Sequence, residues 1–303
     1  MLYNLLLPIS LAYSGKFMYS YLNDESIKSK FKELNLENYK IKELNNRIYG
    51  HELIVEVINN GSLEEIKTYI GIFNKKFKCV TYIYDIEYTN NIKIDLVTSY
   101  KDLKYNRIIL NQYKLLIGYN YKLEPVIVDM KVTPHIGVVG LSNSGKTKCV
   151  ELMLRNLKGV NIDIINSLKD DFSGIRANKI NGVDNIIDYF YYLIHDEKVY
   201  KIPRYVVIDE YNLLSHIKGV DDIISDLLRQ SRHRNIFIIL IAQQLQLEYC
   251  KFKELFNARL CFKQINNMSY YSFLGQTIDN IILKQREFIL LHQNLEYGKT
   301  YLN

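Results

Sequence analysis

The amino-acid sequence predicts an α/β fold with a mainly parallel sheet, preceded by a small α+β domain. From about residue 113 onward, short apolar runs alternate with amphipathic segments, as strands alternate with helices in a βαβ pattern. The runs 136–139, 205–208 and 236–241 contain no charged residue. Such runs are typical of strands that are buried on both faces of a parallel sheet.

The first part of the chain has a different pattern. Residues 26–46 are rich in Lys and Glu with helical spacing, and residues 52–58 have the composition of a strand. Ser62, with Glu65 three positions later, predicts the start of a helix that reaches about Asn74. Two alternating stretches then predict the strands of a hairpin, 80–84 and 92–97. We find no catalytic constellation in this part.

The length of 303 residues allows more than one domain. We predict an apolar N-terminal segment at 1–25, a small α+β domain at 26–112 and the larger α/β domain at 113–303. The apolar stretch that begins the chain is shorter than the roughly 20 residues of a spanning helix, and it lacks the basic region of a signal peptide. We therefore expect a docking or interfacial segment and no transmembrane span.

Charge and cysteine content exclude some classes of site and leave others open. The net charge of +6 and the isoelectric point near 8.8 are mildly basic, which permits a polyanionic partner without requiring one. The four cysteines are scattered, and none lies at metal-ligand spacing from another. A structural zinc site and a disulfide framework are therefore disfavoured, and reduced thiols in a cytosolic protein are expected.

A glycine-containing loop follows the apolar run 136–139 and precedes a segment with helical character. It fits the pattern G-x-x-x-x-G-K-[ST] of phosphate-binding loops with the residues Gly140, Leu141, Ser142, Asn143, Ser144, Gly145, Lys146 and Thr147. In such a loop the backbone N–H groups surround the phosphates at a helix N-terminus. Lys146 is then expected to contact the β and γ phosphates, and the Thr147 hydroxyl to bind Mg²⁺. The sequence therefore predicts ATP and Mg²⁺ as cofactors.

Two carboxylates follow the apolar run 205–208, where ligands bind in sheets of this class. We expect Asp209 to orient Mg²⁺ or its water shell, and Glu210 to act as the general base toward the attacking water. A solvated strand end is the structural alternative.

Gln243 follows the apolar run 236–241 and is a candidate sensor of the γ phosphate or the water. An ordinary turn-forming Gln is an equal alternative at this stage. Arginines could stabilise transition-state charge across a subunit interface, and the candidates are Arg229, Arg232, Arg234 and Arg259. The alternative for each of them is a plain surface role.

Taken in order, these blocks resemble the ATPases of the FtsK/SpoIIIE type. The segment 134–147 is similar to their Walker A block and 205–211 to their Walker B block, while 231–243 and 257–263 are similar to the later blocks. The resemblance covers roughly residues 110–303. Within the family, the short coupling proteins of conjugative elements, of the TcpA kind, look most similar.

The resemblance implies a RecA-like P-loop ATPase core at 113–303 and an ATP-driven motor, probably a homo-hexameric ring, that moves double-stranded DNA without reading its sequence. It assigns nucleotide and metal to Lys146 and Thr147, metal and water to Asp209 and Glu210, and the sensor to Gln243. By motif position it favours Arg232 and Arg259 among the arginines.

Two other functions stay open at this stage. One is a conjugation coupling protein that acts mainly as a docking platform between a DNA-processing complex and a secretion channel, and the other is a nucleotide-gated scaffold with little turnover. A membrane-anchored protein or a relaxase is a candidate partner. We expect a cytoplasmic protein, with membrane association through partners as the alternative.

Overall fold

The computed structural model describes residues 24–167, 170–243, 252–278 and 283–302. These residues form two compact units, which are divided between Lys101 and Asp102. The domain boundary expected at residue 112 lies further along the chain, and as a statement about independent domains it stays a prediction. The apolar segment 1–25 lies almost entirely outside the described residues. No helix in the described ranges is long and apolar enough to cross a membrane.

The first unit contains an antiparallel sheet and three helices. Its strands are β1 (Tyr39–Arg47), β2 (Gly50–Val57), β3 (Val80–Asp85) and β4 (Asn91–Val97), in the order β1-β2-β4-β3. Its helices are α1 (24–32), α2 (Leu63–Lys67) and α3 (Ile70–Phe77). The apolar face of the sheet packs with the helices around a core that includes Phe31, Leu53, Val55, Ile66, Phe73 and Ile94. The predicted hairpin is confirmed as β3 and β4.

The helical prediction for residues 26–46 is wrong beyond residue 32. Residues 39–47 form β1, which pairs with β2 along its length. Tyr39 is buried, and its hydroxyl donates to Ser62 O (2.7 Å) and Glu65 Oε2 (2.8 Å). Strand pairing and this burial outweigh the weak helix propensity of a Lys/Glu-rich stretch. The predicted N-cap is confirmed, because Ser62 Oγ accepts the Glu65 N–H at 3.1 Å, although the chain forms two short helices there instead of one.

The second unit is organised around a ten-stranded mixed sheet with the order β6-β5-β14-β13-β12-β7-β11-β10-β8-β9. The strands are β5 (Lys114–Tyr119), β6 (Pro125–Asp129), β7 (His135–Val139), β8 (Asn161–Ile165), β9 (Asn178–Ile180), β10 (Arg204–Ile208), β11 (Ile236–Ala242), β12 (Ala258–Phe262), β13 (Glu287–Leu291) and β14 (Leu295–Lys299). From β12 to β9 all neighbours are parallel, and from β12 outward to β6 all are antiparallel.

Helices in this unit connect the parallel strands. They are α4 (Lys146–Asn156), α5 (Val183–His195), α6 (Tyr211–Leu214), α7 (Val220–Gln230) and α8 (Asn267–Leu274). All residues of β7 and β11 are buried, as their uninterrupted apolar character predicts. The core between sheet and helices includes Val138, Val150, Met153, Val207, Ile239 and Leu260. The α/β class with a preceding α+β unit is therefore confirmed, and the antiparallel extension is the part that the sequence pattern did not reveal.

The strand order determines which loops come together. β11 lies between β7 and β10, and β8 lies on the far side of β10. Because these strands are parallel, their carboxyl ends share one edge of the sheet. The loops that leave β7, β11, β10 and β8 therefore emerge side by side, where open α/β sheets bind ligands.

Candidate nucleotide site

The loop between β7 and α4 has a backbone that side chains would obstruct. Gly140 and Gly145 have φ values of 158° and 112°. A Cβ on Gly140 would lie only 2.6 Å from Phe262 Cβ and 2.8 Å from Ser144 Oγ. Asn143 also adopts a left-handed conformation, with φ at 58°. The loop thus passes close to its neighbours because glycine occupies the tightest positions, as the motif requires.

Lys146 begins α4 and is buried inside this loop. Its Nζ donates to Gly140 O (2.7 Å) and Leu141 O (3.0 Å). Burial lowers the pKa of Lys146, while the negative charges of Glu210 and Asp209 act in the opposite direction. A buried ammonium group encircled by the loop is the donor that a phosphate chain requires.

Two further groups of the loop fit a phosphate and a metal ion. Within the described residues, Ser144 Oγ is buried without a hydrogen-bond partner. Thr147 is half-buried in the first turn of α4. No cluster of three or more His, Cys, Asp or Glu side chains that could hold a metal occurs in the described ranges. The donor set therefore suits Mg²⁺ bound through few protein ligands together with phosphates and waters, and not a metal enclosed by protein side chains.

Residues far away in the sequence support the outer side of the loop. The Leu141 N–H donates to Lys263 O (2.9 Å), and Gln285 Nε2 donates to Asn143 O (3.2 Å). The Arg286 N–H donates to Ser144 O at 2.8 Å. These contacts fix the loop on the side of β12 and β13.

Arg286 is itself held in place by several groups. It adopts a left-handed conformation with φ at 68°, and its guanidinium donates to Asp102 Oδ1 (2.7 Å) and Thr300 O (3.4 Å). Its Cγ would lie 3.2 Å from a Cβ on Gly145. The sequence reasoning missed these supporting residues, because no local motif marks them.

Asp209 and Glu210 follow β10 at the same edge of the sheet. Asp209 is buried, and burial, together with the charges of Asp171 and Glu210, raises its pKa to about 7. The Glu210 N–H donates to Asp209 Oδ1 at 3.1 Å. Glu210 is half-buried and adopts a left-handed conformation with φ at 49°, which is costly for a residue with a side chain. Strain of this kind is typical of functional positions.

The loop that leaves β8 contacts these carboxylates. The Asp209 N–H donates to Ile165 O (2.9 Å), and Asn166 Nδ2 donates to Asp209 O (3.3 Å). Asn166 also has a positive φ, 58°. The ends of β8 and β10 are thus joined beyond the last paired residues of both strands.

Gln243 follows β11, between the phosphate loop and the carboxylates. Its side chain is exposed, and its backbone N–H donates to Asn212 Oδ1 at 2.8 Å. The structure thus places Gln243 at the same edge as Lys146, Asp209 and Glu210. Its role as a sensor stays a prediction.

The two favoured arginines lie at the opposite edge. Arg232 is exposed in a 3-10 turn, Ser231–Arg234, just before β11. Arg259 lies near the start of β12, where its guanidinium donates to Glu254 Oε2 (2.7 Å) and to the carbonyl oxygens of Phe256, Phe273 and Leu274 (3.2–3.4 Å). Neither arginine is brought to the phosphate loop of its own chain. Their action across a subunit interface stays a prediction, and Arg259 in addition has a structural role.

No family model and no curated protein sequence matches the chain. Solved structures do match. The conjugation coupling protein TcpA of pCW3, in its monomer form with ATPγS, is similar with a TM-score of 0.61 and 16% identity, over 90% of this chain and 93% of that one. The cytoplasmic domain of the Type VII secretion ATPase EccC of Thermomonospora curvata is similar with a TM-score of 0.55 and 16% identity, over 66% of this chain and 30% of that one.

A third structure extends the same group. EssC from Geobacillus thermodenitrificans, ATPases 2 and 3, is similar with a TM-score of 0.56 and 10% identity, over 67% of this chain and 47% of that one. Likeness at such identities establishes a fold and leaves function to the site. The chain therefore has the fold of TcpA and of the EccC and EssC ATPases, in agreement with the FtsK/SpoIIIE-type ATPase that its motifs resemble.

Proposed function

We propose that this protein is an ATP-driven motor that translocates double-stranded DNA in the transfer of a mobile element. The observation that carries the proposal is the meeting of Lys146, Asp209 and Glu210 at one edge of the sheet, coupled electrostatically, in a fold shared with TcpA. A phosphate-binding lysine beside two strand-end carboxylates is the arrangement that nucleotide hydrolysis requires.

Each residue has a distinct task in the proposed reaction. The N–H groups of residues 140–147 and the Lys146 ammonium bind the phosphates of ATP, and Thr147 and Asp209 hold Mg²⁺. Bound Mg²⁺ supplies charge neutralisation at the phosphates. Glu210 accepts a proton from the attacking water, and Gln243 senses the state of the γ phosphate. Arg232 or Arg259 acts from a neighbouring subunit of a homo-hexamer.

The proposed DNA contact is electrostatic and independent of sequence. A net charge of +6 is modest, which favours local basic contacts to phosphates over a uniformly basic surface. We further propose a cytoplasmic location and a relaxase or a membrane-anchored protein as partner. The likeness to a conjugation coupling protein supports these partners.

The same likeness favours one second function. A conjugation coupling protein can act mainly as a docking platform between a DNA-processing complex and a secretion channel. In that case ATP turnover would be slow and would not respond to naked DNA. A scaffold that binds ATP with little turnover would behave in the same way in this respect, although Glu210 argues against it.

The decisive measurement is ATP hydrolysis with and without linear double-stranded DNA, at several salt concentrations. We expect stimulation at low salt that declines steeply as the salt concentration rises, because phosphate contacts release counterions. Turnover without any response to DNA at low salt would contradict the DNA motor and favour the docking platform. Sedimentation with ATPγS and DNA tests the ring, for which a protein that stays monomeric is the contrary result.

Two variants test the site itself. Lys146→Ala should abolish nucleotide binding, and Glu210→Gln should keep binding while turnover falls by roughly 100- to 10,000-fold, as expected for loss of a general base. Lys158→Ala removes an exposed lysine from the end of the segment after α4 and should behave as wild type. Wild-type turnover in both site variants would overturn the assignment.

A further inference from the structure

Glu151 is a buried carboxylate on the helix that follows the phosphate loop. It lies in α4 and is only 1% exposed. A buried carboxylate is unfavourable unless several groups satisfy it. Its Oε2 accepts from Lys148 Nζ and its Oε1 accepts from the backbone N–H of Phe172, both at 2.8 Å. One of the two partners is therefore a backbone group of another loop.

Phe172 lies in the loop between β8 and β9, and the structure holds it firmly. Its side chain is fully buried in the core of the unit, and its φ of 57° is left-handed. Arg155, one turn after Glu151 on α4, lies against the same loop, since a Cβ on Gly174 would be 3.1 Å from its Nη2. The helix that begins with Lys146 thus contacts this loop at two successive turns.

The other end of this loop leads to the carboxylates of the site. It leaves β8 at Asn166, whose side chain donates to Asp209 O. Asp171, directly before Phe172, is half-buried, and its charge acts on Asp209 more strongly than that of Glu210 does. The contact between Glu151 and the Phe172 N–H thus fixes the backbone next to a third carboxylate on the Asp209 side of the site.

We propose that Glu151 is a positioning residue that, through the Phe172 N–H, holds the loop after β8 so that Asp171 adds its charge to the Mg²⁺ side of the nucleotide site. The inference rests on the proposed ATP-binding function. Mg²⁺ keeps several waters when it binds to proteins, so a nearby carboxylate can raise its affinity without direct coordination. Supporting residues of metal sites typically change metal affinity by 10- to 100-fold.

The experiment measures ATPγS binding by calorimetry, once with excess EDTA and once with saturating Mg²⁺. In wild type, Mg²⁺ should tighten binding. In Glu151→Leu and in Asp171→Asn this gain should fall at least about tenfold, while binding in EDTA stays unchanged. Glu151→Gln keeps an oxygen that can accept the Phe172 N–H and should retain most of the gain. The matched control is Asp170→Asn, an exposed neighbour that should retain all of it.

A second measurement follows the proposed contact directly. Hydrogen exchange at the Phe172 amide should be faster in Glu151→Leu than in wild type and close to wild type in Glu151→Gln. The double variant Glu151→Leu, Asp171→Asn should lose no more of the Mg²⁺ gain than either single variant, because both act on one contact chain.

Several outcomes would overturn the inference while leaving ATP binding intact. Asp171→Asn could keep the full Mg²⁺ gain, or Glu151→Leu could weaken binding equally in EDTA and in Mg²⁺, which would indicate a structural role alone. A wild-type protein that binds no ATPγS under either condition would instead overturn the proposed function, and this inference with it.

Discussion

Asn212 Oδ1 accepts a hydrogen bond from the backbone N–H of Gln243 at 2.8 Å. Asn212 lies in α6, whose N-cap residue is Glu210. One short helix therefore connects the strand end that carries the candidate general base with the strand end that carries the candidate sensor. A change at either position can reach the other through a single side chain.

Replacing Asn212 should disturb catalysis more than binding. Asn212→Ala removes the acceptor, so we expect ATP turnover to fall by roughly 10- to 100-fold through misplacement of Gln243 and Glu210. The dissociation constant for ATPγS should change little. Asn212→Asp keeps an oxygen acceptor and should retain more turnover, and Leu213→Ala, at an exposed site on the same helix, serves as control. Equal turnover in all three variants would contradict the connection.

Gly140 should be more sensitive to substitution than other left-handed glycines. A Cβ there meets Phe262 Cβ at 2.6 Å, so Gly140→Ala should destabilise the protein by roughly 1–3 kcal/mol and abolish nucleotide binding. Gly219 also has a positive φ, 88°, but a Cβ there meets nothing within 4 Å. Gly219→Ala therefore carries only the backbone cost of about 1–2 kcal/mol. Denaturant unfolding and ATPγS titration distinguish the two, and equal effects of both variants would contradict the close contact.

His135 makes stability depend on pH. It is buried and accepts the Ile238 N–H on Nδ1, and burial lowers its pKa from 6.5 to about 4, with the charge of Arg232 acting in the same direction. The unfolded chain therefore binds more protons between pH 6.5 and 4, so this contribution to stability is complete above pH 6.5 and is lost as the pH falls toward 4. The loss should be on the order of 3 kcal/mol.

Two histidine variants isolate that contribution. His135→Asn supplies an oxygen near the Nδ1 position and does not titrate, so unfolding free energies measured from pH 7 to 4 should decline less steeply than in wild type. His233 is exposed, and His233→Asn should leave the slope unchanged. A slope that is the same in wild type and His135→Asn would show that the buried histidine is not its source.

Arg259 and Arg232 should differ in their effect on stability. Arg259→Ala leaves Glu254 and several backbone carbonyls without their donor, so we expect a loss of roughly 1–3 kcal/mol in unfolding free energy. Arg232→Ala removes an exposed side chain and should lie within about 0.5 kcal/mol of wild type. Unfolding of the isolated chain measures this difference, and ATP turnover of mixtures with Glu210→Gln subunits then tests whether either arginine acts across an interface.

The residues that bear the chemistry could be found from sequence because each lies in a local pattern. The loop 140–147, Asp209-Glu210 and Gln243 each follow an apolar strand, and parallel strands bring their ends to one edge. The supporting residues could not be found in this way. Gln285 contacts Asn143 across 142 positions of sequence, and Asp102 contacts Arg286 across 184. Such contacts depend on the strand order, which no local pattern encodes.

The failure at residues 39–47 has the same origin. These residues carry the Lys and Glu content of a helix, and their strand conformation comes from pairing with β2 and from the burial of Tyr39. Helix propensity contributes only tenths of a kcal/mol per residue, so partners elsewhere in the chain decide the outcome. In the same way, the antiparallel extension of the large sheet escaped notice because its strands are short and come from both ends of the unit.

The support of the phosphate loop by residues 285 and 286 has a consequence for synthesis of the chain. The loop leaves the ribosome more than a hundred residues before the segment that holds its outer side. We therefore expect a nascent chain that stops short of Gln285 to contain every motif residue from Gly140 to Gln243 and still to bind nucleotide poorly. Competence for ATP would be acquired near the completion of translation, which keeps partially synthesised chains from engaging nucleotide too early.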